Sequence, residues 1–530
     1  VGVSPVVILA AVLYFVIVFG IGLCTRKAAI SASDYMVGGR RVGAVVNGAA
    51  LASSYLSPAT FLGMPAFVFL LGYPFWWAMC GIIAGMPLAS MLTAAPLRKY
   101  APISFTDYYA DRYEDQKTMR ILVGLPTLFA GLAYVVLALV GTGLFMMAIL
   151  HIPYFWAVVL ATGAVMFYVY LGGMVATTWS NAFQGLMMTV AAVVCAIAIL
   201  THYGGFIGLG EAINTNNPNF WLAPHNPEGF SHPLMATWTG MIGFYFVWHF
   251  GFAAMPYTVV RFFTSMDVKS ARRSVFWAVV FGGIMYWGLM IIGAAARVVI
   301  ETLHPLMREA GVTDAVSLLA KIKEIYAVGG VAVTDYSMIA AIEALRSPIL
   351  LGVLVAGGLA IAMSTAAGWV MVLNVLIGRD WMGNVFGSKW AIENPIKSLR
   401  LWTIVILVAG ALLAFKPLAL VLDLSGWAFV TIISTVGAPL ILGLWWRRST
   451  KAATYATIIT FFPLTLCSWL YAKYHLGSPH WFFLSSEENL IATAHQVYWV
   501  PVSFIFFIIV SLLTKPPKDE TIKKYCDDLH

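Results

Sequence analysis

Charge is what this sequence has least of. Its 530 residues include only 31 Lys and Arg and 23 Asp and Glu, 10% of the chain, where an ordinary soluble protein carries about 25%. A water-soluble fold of this length would divide into several domains, each needing a charged surface. So little charge excludes a cytosolic enzyme and a disordered chain. Cysteine is scarce as well: Cys24, Cys80, Cys195, Cys467 and Cys526 have neither metal-ligand spacing nor a disulfide framework, and read as packing residues. No long apolar run carries Asp or Glu near its centre, as a proton relay would. Nothing resembles a nucleophile–base pair or a metal cluster on which an enzyme reading could stand.

Apolar surface is what the chain has in excess. It is 61% hydrophobic, with 33 Phe, 23 Tyr and 19 Trp and a mean hydropathy of +0.86. A hydrocarbon core about 30 Å thick needs roughly 20 apolar residues per helix. Thirteen such runs lie near 5–24, 45–70, 74–95, 120–150, 154–173, 181–202, 234–262, 274–300, 349–378, 400–420, 426–446, 452–475 and 496–514. They are apolar on both parities, unlike the alternating strands of a membrane barrel, so the expected fold is all-α with 13 transmembrane helices.

The cations set the expected orientation. Of the 31 Lys and Arg, 24 follow odd-numbered runs, from Arg26 and Lys27 after the first to Lys523 and Lys524 after the last. Positive residues stay in the cytoplasm, which puts the N-terminus outside and the C-terminus in the cytoplasm of a multi-pass protein in the cell membrane. The net charge of +8 is thus a topology signal, with the lipid bilayer and not nucleic acid as partner. The first run lacks a small-residue cleavage site after it and is not read as a signal peptide. Two longer outer loops, 203–233 and 301–348, read as connectors or as caps on a vestibule, the second with a helical stretch from Val312 to Tyr326.

Two runs are interrupted. The second clusters Ser53, Ser54, Ser57 and Thr60 around Pro58, and the seventh carries Gly251 and Pro256 in mid-span. Inside lipid an unpaired backbone group is costly, so a broken helix needs a reason, and transporters place solute and ion at such breaks in matching repeats. The two breaks lie five runs apart. The ninth run adds adjacent hydroxyls, Ser364 and Thr365. They suit back-bonding to the preceding turn, or a hard cation that wants oxygen ligands. His249 alone of the histidines lies well inside a run and suits either a structural or a solute-binding place.

Four segments then converge. DYMVGGR (Asp34 to Arg40), YLGGMVATTWSNAFQG (Tyr170 to Gly185), AMPYTVVRFF (Ala254 to Phe263) and AIAMST (Ala360 to Thr365) resemble motifs of the sodium:solute symporter family, which includes sodium/proline, sodium/glucose and sodium/pantothenate carriers. The resemblance implies one transmembrane transporter domain over 1–530, of the leucine-transporter type. Inverted five-helix repeats would span 45–202 and 234–446, with peripheral spans over 452–514. It also implies sodium as coupling ion and no other cofactor, held by carbonyls of Ser53, Leu56 and Ile361 and hydroxyls of Ser364 and Thr365. Members with a second sodium site have Asp where this chain has Asn181, and Ser where it has Ala367 and Gly368, so one sodium per turnover is expected.

Within the family, SYLSPATFLG (Ser54 to Gly63) and the stretch Val259 to Ala278 are most similar to the acetate and short-chain monocarboxylate permeases. Met255 and Tyr257 depart from that branch, and an amino acid, pantothenate or a quaternary amine stays open as solute. Ser57, Thr60 and the backbone near Pro58 are the expected anion ligands at a half-helix N-terminus. Tyr55, Trp248, His249 and Phe252 are expected walls, with Phe244 and Tyr245 beside them. The partners are then a small solute, sodium and lipid, with a small membrane subunit left open. A transporter-like sensor is the reading from another class. Only 16 residues follow Thr514, too few for a kinase domain, so a sensor would need a separate partner chain.

Overall fold

The computed structural model describes residues 3–222, 238–304, 336–416, 421–475 and 493–530, with Asp314, Ser317, Leu319, Phe482 and Phe483. Most of the stretch Val312–Tyr326 and the end of the first long outer loop lie outside the described residues. Among those described, nine helices are long and apolar enough to cross a membrane. The pair Ala44–Tyr55 and Thr60–Leu71 passes the same test as one span bent by 68°. The chain is a multi-pass membrane protein built of helices.

Sequence explains the breaks. Ala44–Tyr55 ends where Leu56 turns extended (φ −76°, ψ 113°), two residues before Pro58, since the proline ring disfavours a helical residue ahead of it. The seventh run divides likewise into Trp238–Ala254 and Pro256–Thr264, with Met255 extended at φ −64° and ψ 122°. A third interruption falls in Tyr154–His202, a 49-residue helix broken at Gly173 (φ 52°, ψ −134°). Only glycine suits that backbone, and a Cβ there would stand 2.5 Å from the Tyr35 carbonyl oxygen. The 20 residues to Gly173 measure about 30 Å, and the break coincides with the end of the fifth apolar run.

Burial follows from lipid as solvent. On Pro5–Thr25 the face of Val7, Ala11, Tyr14 and Val18 is buried, while Ile8, Leu9, Val12, Leu13, Val16 and Ile17 are exposed. Water would penalise that outer face; hydrocarbon does not. Inside, small residues bring backbones together. A Cβ on Gly185 would lie 2.5 Å from the Ala49 carbonyl oxygen, so the second and sixth runs meet beside Ser53.

The cation-rich end is held by charge. Arg120 reaches Asp107 at 2.7 Å and Asp380 at 3.2 Å, and Arg379 reaches the same two carboxylates at 2.9 and 2.7 Å. Backbone amides of Ile103 and Ser104 donate to Asp107, and Thr106 donates to Asp380. Burial opposes ionisation of Asp107, but Arg379 and Arg120 outweigh it and hold the carboxyl down at about 2. The C-terminal segment folds against the same end. Its helix Asp519–Tyr525 is tied by Thr521 and Lys518 to Glu114 and by the Tyr525 carbonyl to Tyr108.

Candidate functional site

The five oxygens expected to hold sodium are brought together. Ser364 Oγ donates to the Ser53 carbonyl at 2.8 Å and to Ile361 at 3.0 Å. Thr365 Oγ1 donates to the Leu56 carbonyl at 2.9 Å and to Ile361 at 3.1 Å. Ser53, Leu56, Ile361, Ser364 and Thr365 are all buried. Local structure accounts for the meeting. Ser53 and Leu56 lie at the C-terminal end of a half-helix, where carbonyls lack intrahelical partners and the dipole is negative. Ser364 and Thr365 lie three and four residues past Ile361, so their hydroxyls bond back to its carbonyl while facing the break. No carboxylate takes part.

The neighbouring layer holds a group that sequence reasoning places elsewhere. Arg261 reads as a cation at the cytoplasmic end of the seventh run, with ionisable side chains kept out of span interiors. The structure corrects this: Arg261 is 1% exposed on the half-helix Pro256–Thr264. Its guanidinium donates to Ser54 Oγ at 3.1 Å and Thr178 Oγ1 at 2.9 Å. Asn181 Nδ2 donates to the same Ser54 hydroxyl at 3.1 Å and to the Ser364 carbonyl at 3.1 Å. Two bridging residues therefore connect a buried cation to the oxygen cage. Among the described residues no carboxylate forms an ion pair with Arg261. Gly368 belongs to this layer too, since a Cβ there would lie 3.7 Å from Ser54 Oγ.

The expected solute residues fall into three groups. Ser57, Pro58 and Thr60 form the turn between the two halves of the second span; the Ser57 amide donates to Thr60 Oγ1 at 3.3 Å, and the Thr60 amide to the Ser57 carbonyl at 2.8 Å. Tyr55, Trp248 and Phe252 form a buried aromatic cluster: Tyr55 and Phe252 rings are 5.3 Å apart, and Trp248 and Phe252 lie 4.6 and 5.0 Å from Phe429. His249 is set apart, half-buried, its ring stacked on Tyr245 at 5.4 Å. Helical geometry separates them, because Trp248 and Phe252 are four residues apart on one face and His249 is turned about 100° away. The Phe244 side chain lies outside the described residues.

Four aromatic residues missing from the sequence-derived set complete the cluster. Phe429 centres it, and Tyr134 stacks on Trp369 at 5.3 Å with Tyr257 at 5.3 Å from the same ring. Trp369 follows Thr365 by four residues, a spacing that could have flagged it. The Tyr257 hydroxyl and the Trp369 indole nitrogen are buried without a hydrogen-bond partner. A buried donor left unpaired is costly, so the cluster offers two donors to an acceptor between the broken spans.

The comparisons agree with this architecture. A Na+-coupled sialic acid symporter, solved substrate-bound and outward-open, superimposes with a TM-score of 0.74 at 20% identity, covering 97% of this chain and 99% of that one. A nucleobase-cation-symport-1 family transporter, closed around bromovinylhydantoin, matches with a TM-score of 0.50 at 12% identity over 94% of this chain and 98% of that one. These likenesses establish the leucine-transporter-type fold. The profile of the sodium:solute symporter family matches residues 35–460. With most of its length matched by that profile, the chain belongs to the sodium:solute symporter family.

Proposed function

We propose that the protein imports a short-chain monocarboxylate such as acetate, propionate, pyruvate or lactate, coupled to one sodium ion per turnover. The carrying observation is the cage itself: five oxygens from a broken second span and the ninth span, with four hydroxyl–carbonyl distances of 2.8–3.1 Å shared by two O–H donors. Turning two hydroxyl hydrogens outward would present five lone pairs to one cation. Sodium bound there would fasten the second span to the ninth in an outward-open state. The solute would complete closure, and the repeats 45–202 and 234–446 would rock to release both on the cytoplasmic side, where the cation-rich end lies.

Arg261 supports a single sodium. A second cation beside Asn181 would sit in a layer that already holds a buried guanidinium and lacks the carboxylate that could neutralise either. The monocarboxylate reading rests on the turn at Ser57, Pro58 and Thr60. There the outer half of the second span starts with its positive dipole end, next to the aromatic cluster and its two free donors. Both features suit a small anion with an apolar tail, and the sodium charge lies close by.

Uptake into proteoliposomes under an imposed sodium gradient, with labelled monocarboxylates, amino acids, pantothenate and a quaternary amine, tests the reading. Uphill uptake confined to monocarboxylates, with a sodium Hill coefficient near one, is expected. Accumulation of another class would reassign the solute, and a coefficient near two would end the one-sodium reading.

A further inference from the structure

Away from the broken spans, the cation-rich end holds a cavity of about 560 Å³. Three parts of the chain form it: the short helix Asp107–Arg112 with the residues after it, the start of Lys451–His475, and the segment from Thr514 to Thr521. Four cations line it, Arg112, Lys451, Lys515 and Lys518, against one carboxylate, Glu114. Neighbours neutralise half of that charge. Lys518 pairs with Glu114 at 3.0 Å and Lys451 with Asp115 at 3.2 Å.

Among the described residues the other two cations have no ion-pair partner; the Arg112 guanidinium lies 5.5 Å from the Tyr113 ring. Arg112 is 1% exposed; its Nε donates to the Gly443 carbonyl at 3.1 Å, while neither terminal nitrogen has a hydrogen-bond partner. No ion pair is described for Lys515. A buried guanidinium with two unused nitrogens is costly unless an anion completes it, and a guanidinium fork matches phosphate oxygens. The cavity's size falls in the range of small-ligand sites, about 300–1,000 Å³. Its place adds a second indication. Lys451 starts one apolar helix and Thr514 follows another, so the cavity opens at the boundary of the bilayer, where anionic headgroups gather near basic residues.

We propose that this cavity binds a phosphate-bearing anion, which joins the C-terminal segment to the end of the helix Asp107–Arg112 and to the helix starting at Lys451. Lys515 and Lys518 come from the C-terminal segment and Arg112 from the end of that short helix, so one phosphate would bridge both. Pro516 and Pro517 restrict the chain between the two lysines, fixing their separation. The phosphate could belong to a lipid headgroup or to a soluble ion; the chemistry recognised is the same.

The test uses the full chain purified in detergent, with binding read by the quenching of its tryptophan emission or by native mass spectrometry. Two probes separate the sources: phosphatidylglycerol in mixed micelles, with phosphatidylcholine as control, and inorganic phosphate at matched ionic strength. Saturable binding of phosphatidylglycerol alone assigns a lipid site; binding of inorganic phosphate as well assigns a soluble anion. In either case Lys515→Gln with Lys518→Gln should weaken binding roughly tenfold or more. Arg112→Gln should do the same where it folds, and the lysine pair keeps the test decisive where it does not. Absence of saturable binding for both probes, or equal binding by the double-lysine variant, overturns the proposal. Sodium-driven uptake at saturating sodium is read in parallel, so a failure of the solute assignment leaves this result standing.

Discussion

The oxygen cage and the ionic network at the cation-rich end solve opposite problems with opposite chemistry. At the network, Arg120 and Arg379 each pair with both Asp107 and Asp380, four ion pairs of 2.7–3.2 Å. Removing one partner from such a buried set leaves an uncompensated charge and costs about 3–5 kcal/mol, which makes it a permanent fastening. The cage uses no formal charge, only hydroxyls and carbonyls whose bonds each contribute about 0.5–1.5 kcal/mol net. A transported ion has to leave again. On the proposed reading, charge fastens the cation-rich end and dipoles hold the ion that is released.

The largest effect expected from attacking this contrast is on the cage. Ser364→Ala with Thr365→Ala removes both hydroxyls and should abolish uphill uptake; Thr365→Ala alone should raise the half-saturating sodium concentration about tenfold, equivalent to roughly 1.4 kcal/mol. Sodium-driven uptake near wild-type in the double variant would break the site assignment. Asp107→Asn should act on the network alone, lowering stability by about 3–5 kcal/mol while half-saturating sodium stays within about twofold in protein that folds. A stability scan that finds no loss would mean that the network is dispensable.

A smaller effect is expected from pH. Against burial, Arg379 and Arg120 hold Asp107 below its usual 3.8, while burial and the neighbouring Asp107 raise Asp380, so the contribution of Asp107 is complete above 3.8 and falls away as the pH drops below it. Thermal melting at stepped pH should show the loss in the wild type and a weaker one in Asp107→Asn. Asn181→Asp combined with Ala367→Ser and Gly368→Ser should move the sodium Hill coefficient from near one towards two, measured in flux assays. A coefficient unchanged by all three would show that these three departures do not set the count. Least affected should be Arg447→Ala, which breaks the pair to Asp527 at 3.0 Å, with the arginine side chain 72% exposed. Pairs of that kind are worth about 0–1 kcal/mol, and melting should scarcely register the change.

The same contrast shows what was legible from residues alone. The hydroxyls of Ser364 and Thr365 and the proline-broken second span were, because both are rare inside an apolar run; the carbonyls of Ser53, Leu56 and Ile361 came only with the family resemblance, carried over by position. The buried Arg261 was not. An arginine a turn before a polar loop looks the same in sequence whether it reaches out to headgroups or turns inward to Ser54 and Thr178. Phe429, Tyr134 and Trp369 were hidden for a related reason: in lipid an apolar face gives no clue to whether it meets hydrocarbon or the protein interior. The side to which His249 turns was not legible either: it stacks on Tyr245, on another face of the helix from Trp248 and Phe252. The pairing of Asp107 with Arg379 joins residues far apart in the chain, which no local pattern encodes.

The close approach of Gly185 to the second span has one consequence for the cage. A Cβ at Gly185 would lie 2.5 Å from the Ala49 carbonyl oxygen and 3.4 Å from Ser53 Cβ, so any larger residue there would push the carbonyl-bearing end of Ala44–Tyr55 away from Ser364. The oxygens meet because a neighbouring helix has left out a methyl group, and the position of the cage is set from behind by what is missing as much as from the front by what bonds.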